Sequence, residues 1–117
     1  MPIFLGAAVD GDEYQEGDSM TLSLDLLNSM DRTVDLYVAL QDPTGELIFY
    51  PSLGASWSPY SAGLFLPADT HIEDYELFSL TLPELPAGTY RWHAACIHTG
   101  TMEFASNIAS CEWKFNR

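Results

Sequence analysis

The sequence predicts an all-β domain of two antiparallel sheets packed face to face, and three observations carry that prediction. Segments with strict apolar/polar alternation recur along the 117 residues, and no helical period is sustained long enough to compete. Turn signals separate these segments at intervals of roughly 8 to 12 residues, as in sandwiches. The stretch Pro86-Ala87-Gly88-Thr89-Tyr90-Arg91-Trp92 joins a turn to a strand opened by a tyrosine. Gly88 can take backbone angles that a tight corner needs, and Tyr90 can bury its ring while its hydroxyl bonds backbone just upstream.

Taken in order, residues 3–9 are apolar and read as a first strand. Residues 10–18 form a polar turn, after which Met20, Leu22, Leu24 and Leu26 share one face and Thr21, Ser23 and Asp25 the other. Residues 28–32 turn the chain, and Val34, Leu36, Val38 and Leu40 make the next buried face. Asp42-Pro43-Thr44-Gly45 is a β-turn in which Pro43 pre-sets the first central angle, so residues 46–50 return as the partner strand of a hairpin. From 51 to 75 the alternation stops and Gly and Pro recur, interrupted by a short strand at 64–66. Residues 76–82 resume with Phe78, Leu80 and Leu82 inward, and Pro83 and Pro86 end that strand by removing ladder donors. Beyond the corner, Tyr90, Trp92, Ala94 and Cys96 share a face, and Cys111, Trp113 and Phe115 return in matching phase. The sum is an immunoglobulin-like antiparallel β-sandwich of about seven strands, forming a single domain over residues 1–117.

Composition supports one core. With 47% hydrophobic and 13% aromatic residues, the chain can bury roughly two-thirds of the surface its unfolded form exposes. Seventeen acidic against four basic residues give a formal net charge of −13, a field that repels phosphate backbones and anionic membrane surfaces. Nucleic acid and membrane insertion are therefore not expected. Residues 1–9 lack a positive leading region and are too short to cross a bilayer, so an exported protein would carry this sequence as an excised domain or after loss of its signal.

Gly17-Asp18-Ser19-Met20-Thr21-Leu22-Ser23-Leu24, Val34-Asp35-Leu36-Tyr37-Val38-Ala39-Leu40, Asp42-Pro43-Thr44-Gly45 and the Gly88-Thr89-Tyr90 corner together resemble immunoglobulin-like or fibronectin-type modules of bacterial secreted and surface proteins. The resemblance covers nearly the whole chain. It implies an extracellular, cell-surface or periplasmic location and a role as spacer, adhesive module or assembly subunit, with no common catalytic residues to transfer. The two cysteines depart from the antibody pattern, since both lie near the end of the chain.

Four groups of residues invite a chemical reading. A hairpin centred between residues 103 and 104 would set Cys96 opposite Cys111, and an exported module would then carry a disulfide there; His98 on the same face adds a weaker thought of a metal, for which no fourth ligand is evident. Asp10, Asp12 and Glu13 resemble an oxygen-rich calcium loop without its full twelve-residue pattern, which makes calcium the one cofactor to consider. Trp57, Tyr60 and Phe65 lie among glycines and prolines on the long connection, where they can stack a sugar, anchor a partner, or fold back as a lid on the core. The uncharged strand at 3–9 can pair within its own sandwich or with a neighbour, in a weak homo-oligomer strengthened by salt. The sequence holds no nucleophile elbow, phosphate loop or His-Glu-x-x-His. It therefore reads as a non-catalytic structural or protein-interaction module whose partners are other proteins or neighbouring domains, with a carbohydrate-binding module using Trp57 and Tyr60 as the alternative.

Overall fold

In the computed structural model, which describes residues 2–117, the alternating segments form strands: β1 Phe4–Val9, β2 Glu13–Tyr14, β3 Ser19–Asn28, β4 Arg32–Gln41, β5 Leu47–Tyr50, β6 Ser61–Leu66, β7 Thr70–Thr81, β8 Gly88–His98 and β9 Ala109–Phe115. Two sheets pack as a sandwich. One has the order β1-β3-β7, the other β2-β9-β8-β4-β5, and β6 lies end to end with β5 along the same edge of β4. Neighbours are antiparallel except β2 and β9, which run parallel.

Period two decides which side chains meet between the sheets. Met20, Leu22, Leu24 and Leu26 from β3 face Val34, Leu36 and Val38 from β4 and Tyr90, Trp92, Ala94 and Cys96 from β8, all buried in one cluster. Aromatic pairs order this layer. The Tyr90 and Trp113 rings stack at 4.6 Å, Tyr14 meets Trp113 edge-on at 5.6 Å, and Trp92 packs edge-on against Phe78 at 5.3 Å. The Trp92 indole N–H donates to the Met20 sulfur at 3.2 Å, so its polar atom is not stranded among hydrocarbon.

The tyrosine corner forms as expected. The Tyr90 hydroxyl donates to the Pro86 carbonyl at 2.6 Å, which fixes the approach to β8. Gly88 opens that strand at φ 147°, and a Cβ there would stand 2.7 Å from Cγ of Pro43, so only glycine lets β8 pass the β4–β5 turn. In that turn the Asp42 carboxylate accepts from the Thr44 N–H, the Thr44 hydroxyl and the Glu46 N–H, which hold its carboxyl below the usual range, the Thr44 hydroxyl most.

Residues 3–9 lie within their own sandwich. Ile3 and Leu5 are buried and β1 pairs with β3 along its length. The free edge of β1 is filled at one point by a side chain: the Leu5 N–H donates to Asn107 Oδ1 at 2.8 Å, and Asn107 Nδ2 donates back to the Leu5 carbonyl at 2.9 Å. One amide thereby imitates a strand residue.

Three expectations of extent and pairing are corrected. Nine strands are present among the described residues rather than about seven, because Glu13–Tyr14 pairs within the supposed acidic turn and the irregular connection shrinks to 51–60. His71 and Tyr75 lie on β7, not in a loop; two register shifts against β3 and a positive φ at Asp74 break the simple alternation by which that strand would be read. The third correction concerns the cysteines, which are free. The β8–β9 hairpin turns earlier than expected, at Gly100 with φ 80°, where the His98 N–H donates to the Glu103 carbonyl. This sets Cys111 opposite Trp92 and Cys96 opposite Leu36 of β4. Four residues along a strand is on the order of 13 Å, beyond the reach of a disulfide, which needs Cα atoms within about 7 Å.

Gly88→Ala is expected to destabilise the protein by about 1–3 kcal/mol through the Pro43 clash and the unfavourable φ. Tyr90→Phe is expected to cost about 1 kcal/mol, since it strands the Pro86 carbonyl without disturbing the ring stack. Urea titration checks both as a fall in midpoint at unchanged slope; a Gly88→Ala midpoint at or above that of the parent would contradict the account of the corner.

Candidate binding groove

The outward face of the six-stranded sheet is built by the same alternation that fills the core. Ser110 of β9, His93 of β8, Ala39 of β4 and Phe49 of β5 stand in register across it, and Ala95 faces Tyr37 on the next rung. Alanine at two neighbouring positions keeps the floor low. The 51–60 connection supplies a wall: the Phe49 N–H donates to the Gly54 carbonyl at 2.8 Å, the chain doubles back, and Trp57 settles against Phe49 at 5.0 Å and Tyr37 at 5.5 Å. Phe104 and Ile108 form the opposite wall.

The result is an open groove of about 610 Å³, within the span of small-ligand and peptide pockets. Its lining is aromatic and aliphatic except around His93. Large apolar side chains at its margins remain in water: Leu47 is 41%, Trp57 54%, Phe104 49% and Ile108 58% exposed. Half-exposed apolar side chains are thus gathered at one place on a domain of net charge −13.

At the polar side of the floor, His93 Nε2 lies 2.8 Å from Gln41 Oε1 and Nδ1 lies 2.7 Å from the Ser110 hydroxyl. An amide oxygen can only accept, so Nε2 carries the proton and Nδ1 accepts from Ser110. Partial burial lowers the His93 pKa, with the Arg91 guanidinium adding to it, so the ring is neutral at pH 7. Arg91 itself is paired to Glu112 at 3.0 Å. The groove thus offers an uncharged hydrogen-bonding edge beside aromatic faces.

Of the three loop aromatics, the structure keeps Trp57 in the groove and disperses the others. Tyr60 turns inward, stacked near Tyr50 at 6.2 Å with its hydroxyl donating to the Leu77 carbonyl, and burial raises its pKa. Phe65 stands on β6 opposite Thr33, 56% exposed. The acidic turn is also taken apart. Asp10 accepts from the Tyr14 hydroxyl at 2.6 Å and the Thr21 N–H at 3.2 Å, and these bonds, that of Tyr14 foremost, lower its pKa; the Asp12 carbonyl receives the Lys114 N–H, and Glu13 is a strand residue. Among the described residues no group of three or more His, Cys, Asp or Glu side chains is placed to hold a metal ion. His93, Ser110, Gln41, Phe104 and Ile108 escaped the sequence reading as a group. Period two marks 93 and 110 as outward, but only the pairing of β8 with β9 and β4 unites them.

No protein-family model matches the chain, and no curated protein does. Solved structures share the fold. The chain is similar to part of the alkylpurine DNA glycosylase AlkC of Pseudomonas fluorescens, solved bound to DNA containing an abasic-site analogue, with a TM-score of 0.57 at 12% identity over 97% of this chain and 30% of that one. The sporulation control protein Spo0M of Bacillus subtilis gives 0.56 at 10% identity over 98% of this chain and 49% of that. The CARDB domain of a Pyrococcus furiosus protein, in complex with di-metal ions, gives 0.49 at 11% identity over 97% of this chain and 91% of that. The chain thus spans less than half the length of the first two. The expectation of no enzymatic role is corrected here: a glycosylase, an enzyme, carries this sandwich as part of its chain, so missing catalytic motifs in one such domain do not set it apart from enzymes.

Under non-reducing conditions both cysteines are expected to alkylate after unfolding. In the native protein the half-buried Cys111 reacts slowly, while Cys96, fully buried with its pKa raised to about 11, does not react. A mass 2 Da lower with no alkylatable thiol, as about 2 protons lost to a bridge, would overturn the register. For His93, a folded pKa below the unfolded value means that the unfolded state takes up its proton first. Stability therefore falls as pH drops below the ordinary value of 6.5 and levels off beneath the folded pKa. Proton-detected NMR should place the His93 midpoint below 6.5, and His93→Gln should flatten the stability profile there; a midpoint above 6.5 would refute the neutral ring.

Proposed function

We propose that this domain is an immunoglobulin-like protein-interaction module, a structural or assembly unit that engages its partner through the outward face of the six-stranded sheet. The observation that carries the reading is the open apolar groove walled by Trp57 and lined without a single Asp, Glu, Lys or Arg, on a chain of net charge −13. Charged side chains do stand elsewhere on this face, Asp35 and Arg91 among them, and their exclusion from the groove itself supports a binding surface there. We place the module outside the cytoplasm or at the cell surface, on the strength of its resemblance to secreted and surface modules; the separated thiols withdraw the disulfide from that argument. The excess of acid weighs against nucleic acid as the partner.

A second reading, carbohydrate binding, is supported by the half-exposed Trp57 ring beside the neutral hydrogen-bonding edge of His93 and Ser110. It keeps Trp57 as the stacking residue and drops Tyr60, whose ring packs on the core.

In its native cells, a photo-crosslinking amino acid in place of Ile108 is expected to trap a discrete protein partner, with the adduct lost when Trp57→Ala is added. The same amino acid in place of Ser23, on the outward side of the three-stranded sheet, is expected to trap nothing. Equal adducts at both positions, or none at 108, would defeat the interaction reading, and glycan-array binding abolished by Trp57→Ala would replace it with the second.

A further inference from the structure

We infer that the groove hydrolyses uncharged esters of apolar acyl groups, with Ser110 as nucleophile, His93 as general base and Gln41 as the residue that positions the base. This goes beyond the interaction reading and does not rest on it, since it concerns a bond broken in the groove and not a partner held there. All three side chains line the groove, from the neighbouring strands β4, β8 and β9. The Ser110 hydroxyl lies 2.7 Å from His93 Nδ1, and Gln41 Oε1 lies 2.8 Å from Nε2. These are the distances expected of a nucleophile, its base and the group that orients the base.

Gln41 fixes the tautomer with its proton on Nε2, which turns the Nδ1 lone pair to Ser110. Burial, and after it Arg91, keeps a second proton off the ring near neutral pH, so the base is available, and Ser110 is exposed to an incoming substrate. Ser110 Oγ attacks the ester carbonyl carbon as its proton passes to Nδ1. The tetrahedral oxyanion collapses, the bond to the alcohol oxygen breaks, and Nδ1–H protonates the departing alkoxide. Water then adds to the acyl ester on Ser110 and gives a proton to Nδ1. Collapse releases the carboxylic acid, and Ser110 Oγ takes that proton back. One ester and one water become one acid and one alcohol. Arg91, next along this face of β8 and paired with Glu112, adds a positive charge beside the dyad that favours the oxyanion.

The lining selects the acyl group. From Ser110 the residues in register run over His93 and Ala39 to Phe49, three strand spacings or about 14 Å. The small side chains of Ala39 and Ala95 leave room above the sheet, and Trp57 against Phe49 closes the far side. An acyl chain of medium length with its carbonyl at Ser110 thus lies on apolar surface to its tip. An acetyl group would leave the Trp57 wall untouched. A charged acyl group would give up water without gaining a partner, because no Asp, Glu, Lys or Arg lines the groove.

The test uses an octyl fluorophosphonate, which phosphonylates an activated serine with loss of fluoride, and the p-nitrophenyl esters of octanoate and acetate. Intact and peptide mass are expected to show one adduct, on Ser110, and none in Ser110→Ala. His93→Gln should slow both labelling and octanoate hydrolysis by about 100-fold. In the parent the labelling rate should rise with pH and level off, with its midpoint below 6.5. Gln41→Glu keeps the acceptor and adds a negative charge, so it should retain labelling and raise that midpoint, a shift that an amide of purely structural role would not produce. Trp57→Ala should slow octanoate about tenfold and leave acetate unchanged, as expected from the lost apolar contact. No adduct on Ser110, or labelling that His93→Gln leaves unchanged, overturns the inference. A midpoint unmoved in Gln41→Glu overturns the positioning role, and equal slowing of both esters in Trp57→Ala overturns the acyl preference. None of these outcomes bears on cross-linking at Ile108, so the interaction reading stands or falls separately.

Discussion

The hydrogen bond from the Tyr90 hydroxyl to the Pro86 carbonyl sets where β8 begins, and β8 is the strand from which the six-stranded sheet takes its register on both sides. Once β8 is placed, Trp92 must point to Met20 and His93 away from it, because successive side chains alternate. The ring of Tyr90 adds a stack on Trp113, which carries the same constraint into β9. Gly88 completes the arrangement by letting two chain segments pass closer than any side chain would allow. Core and groove are two sides of this one strand, so neither can shift alone.

Much of the scaffold was legible in the sequence for a simple reason. Period two announces which face a residue takes, and burial rewards that alternation strongly enough to override local preferences. Met20, Leu22 and Leu24 needed nothing more, and the corner needed only its glycine and tyrosine. Pairing is a different matter. Alternation is unchanged when a hairpin slides by an even number of residues, so Cys96 and Cys111 were put in the correct phase and on the wrong rung. Thr99 and Gly100 held the information that would have fixed the turn, through the positive φ that glycine accepts.

The candidate site was less legible because it is made of contacts between strands distant in sequence. Gln41, His93 and Ser110 form one hydrogen-bonded row only after three strands have paired. The loop aromatics show the opposite problem. Trp57 and Tyr60 are close in sequence and chemically alike, yet one lies on the outer face and the other packs on the core, since a chain that doubles back over a sheet edge presents successive rings to opposite sides. Asp10 likewise read as an ion ligand beside Asp12 and Glu13, and in the fold one of its carboxylate oxygens accepts from the Tyr14 hydroxyl and the Thr21 N–H, tying β2 to β3.

The amide of Asn107 clasping Leu5 bears on how the domain answers mechanical load. Segments near the two ends of the chain run alongside each other in the same direction, through the Ile3 bridge to Ser106 and the parallel pairing of β2 with β9. Tension drawn along the polypeptide would slide these segments past one another, so that their hydrogen bonds resist together in shear instead of opening one at a time as in a peeled hairpin. Resistance of this kind is set by the rate of unfolding under force and not by the equilibrium between folded and unfolded chains. The Asn107 clasp lies within that shear plane, where two bonds from a single side chain fasten β1 to the segment leading into β9.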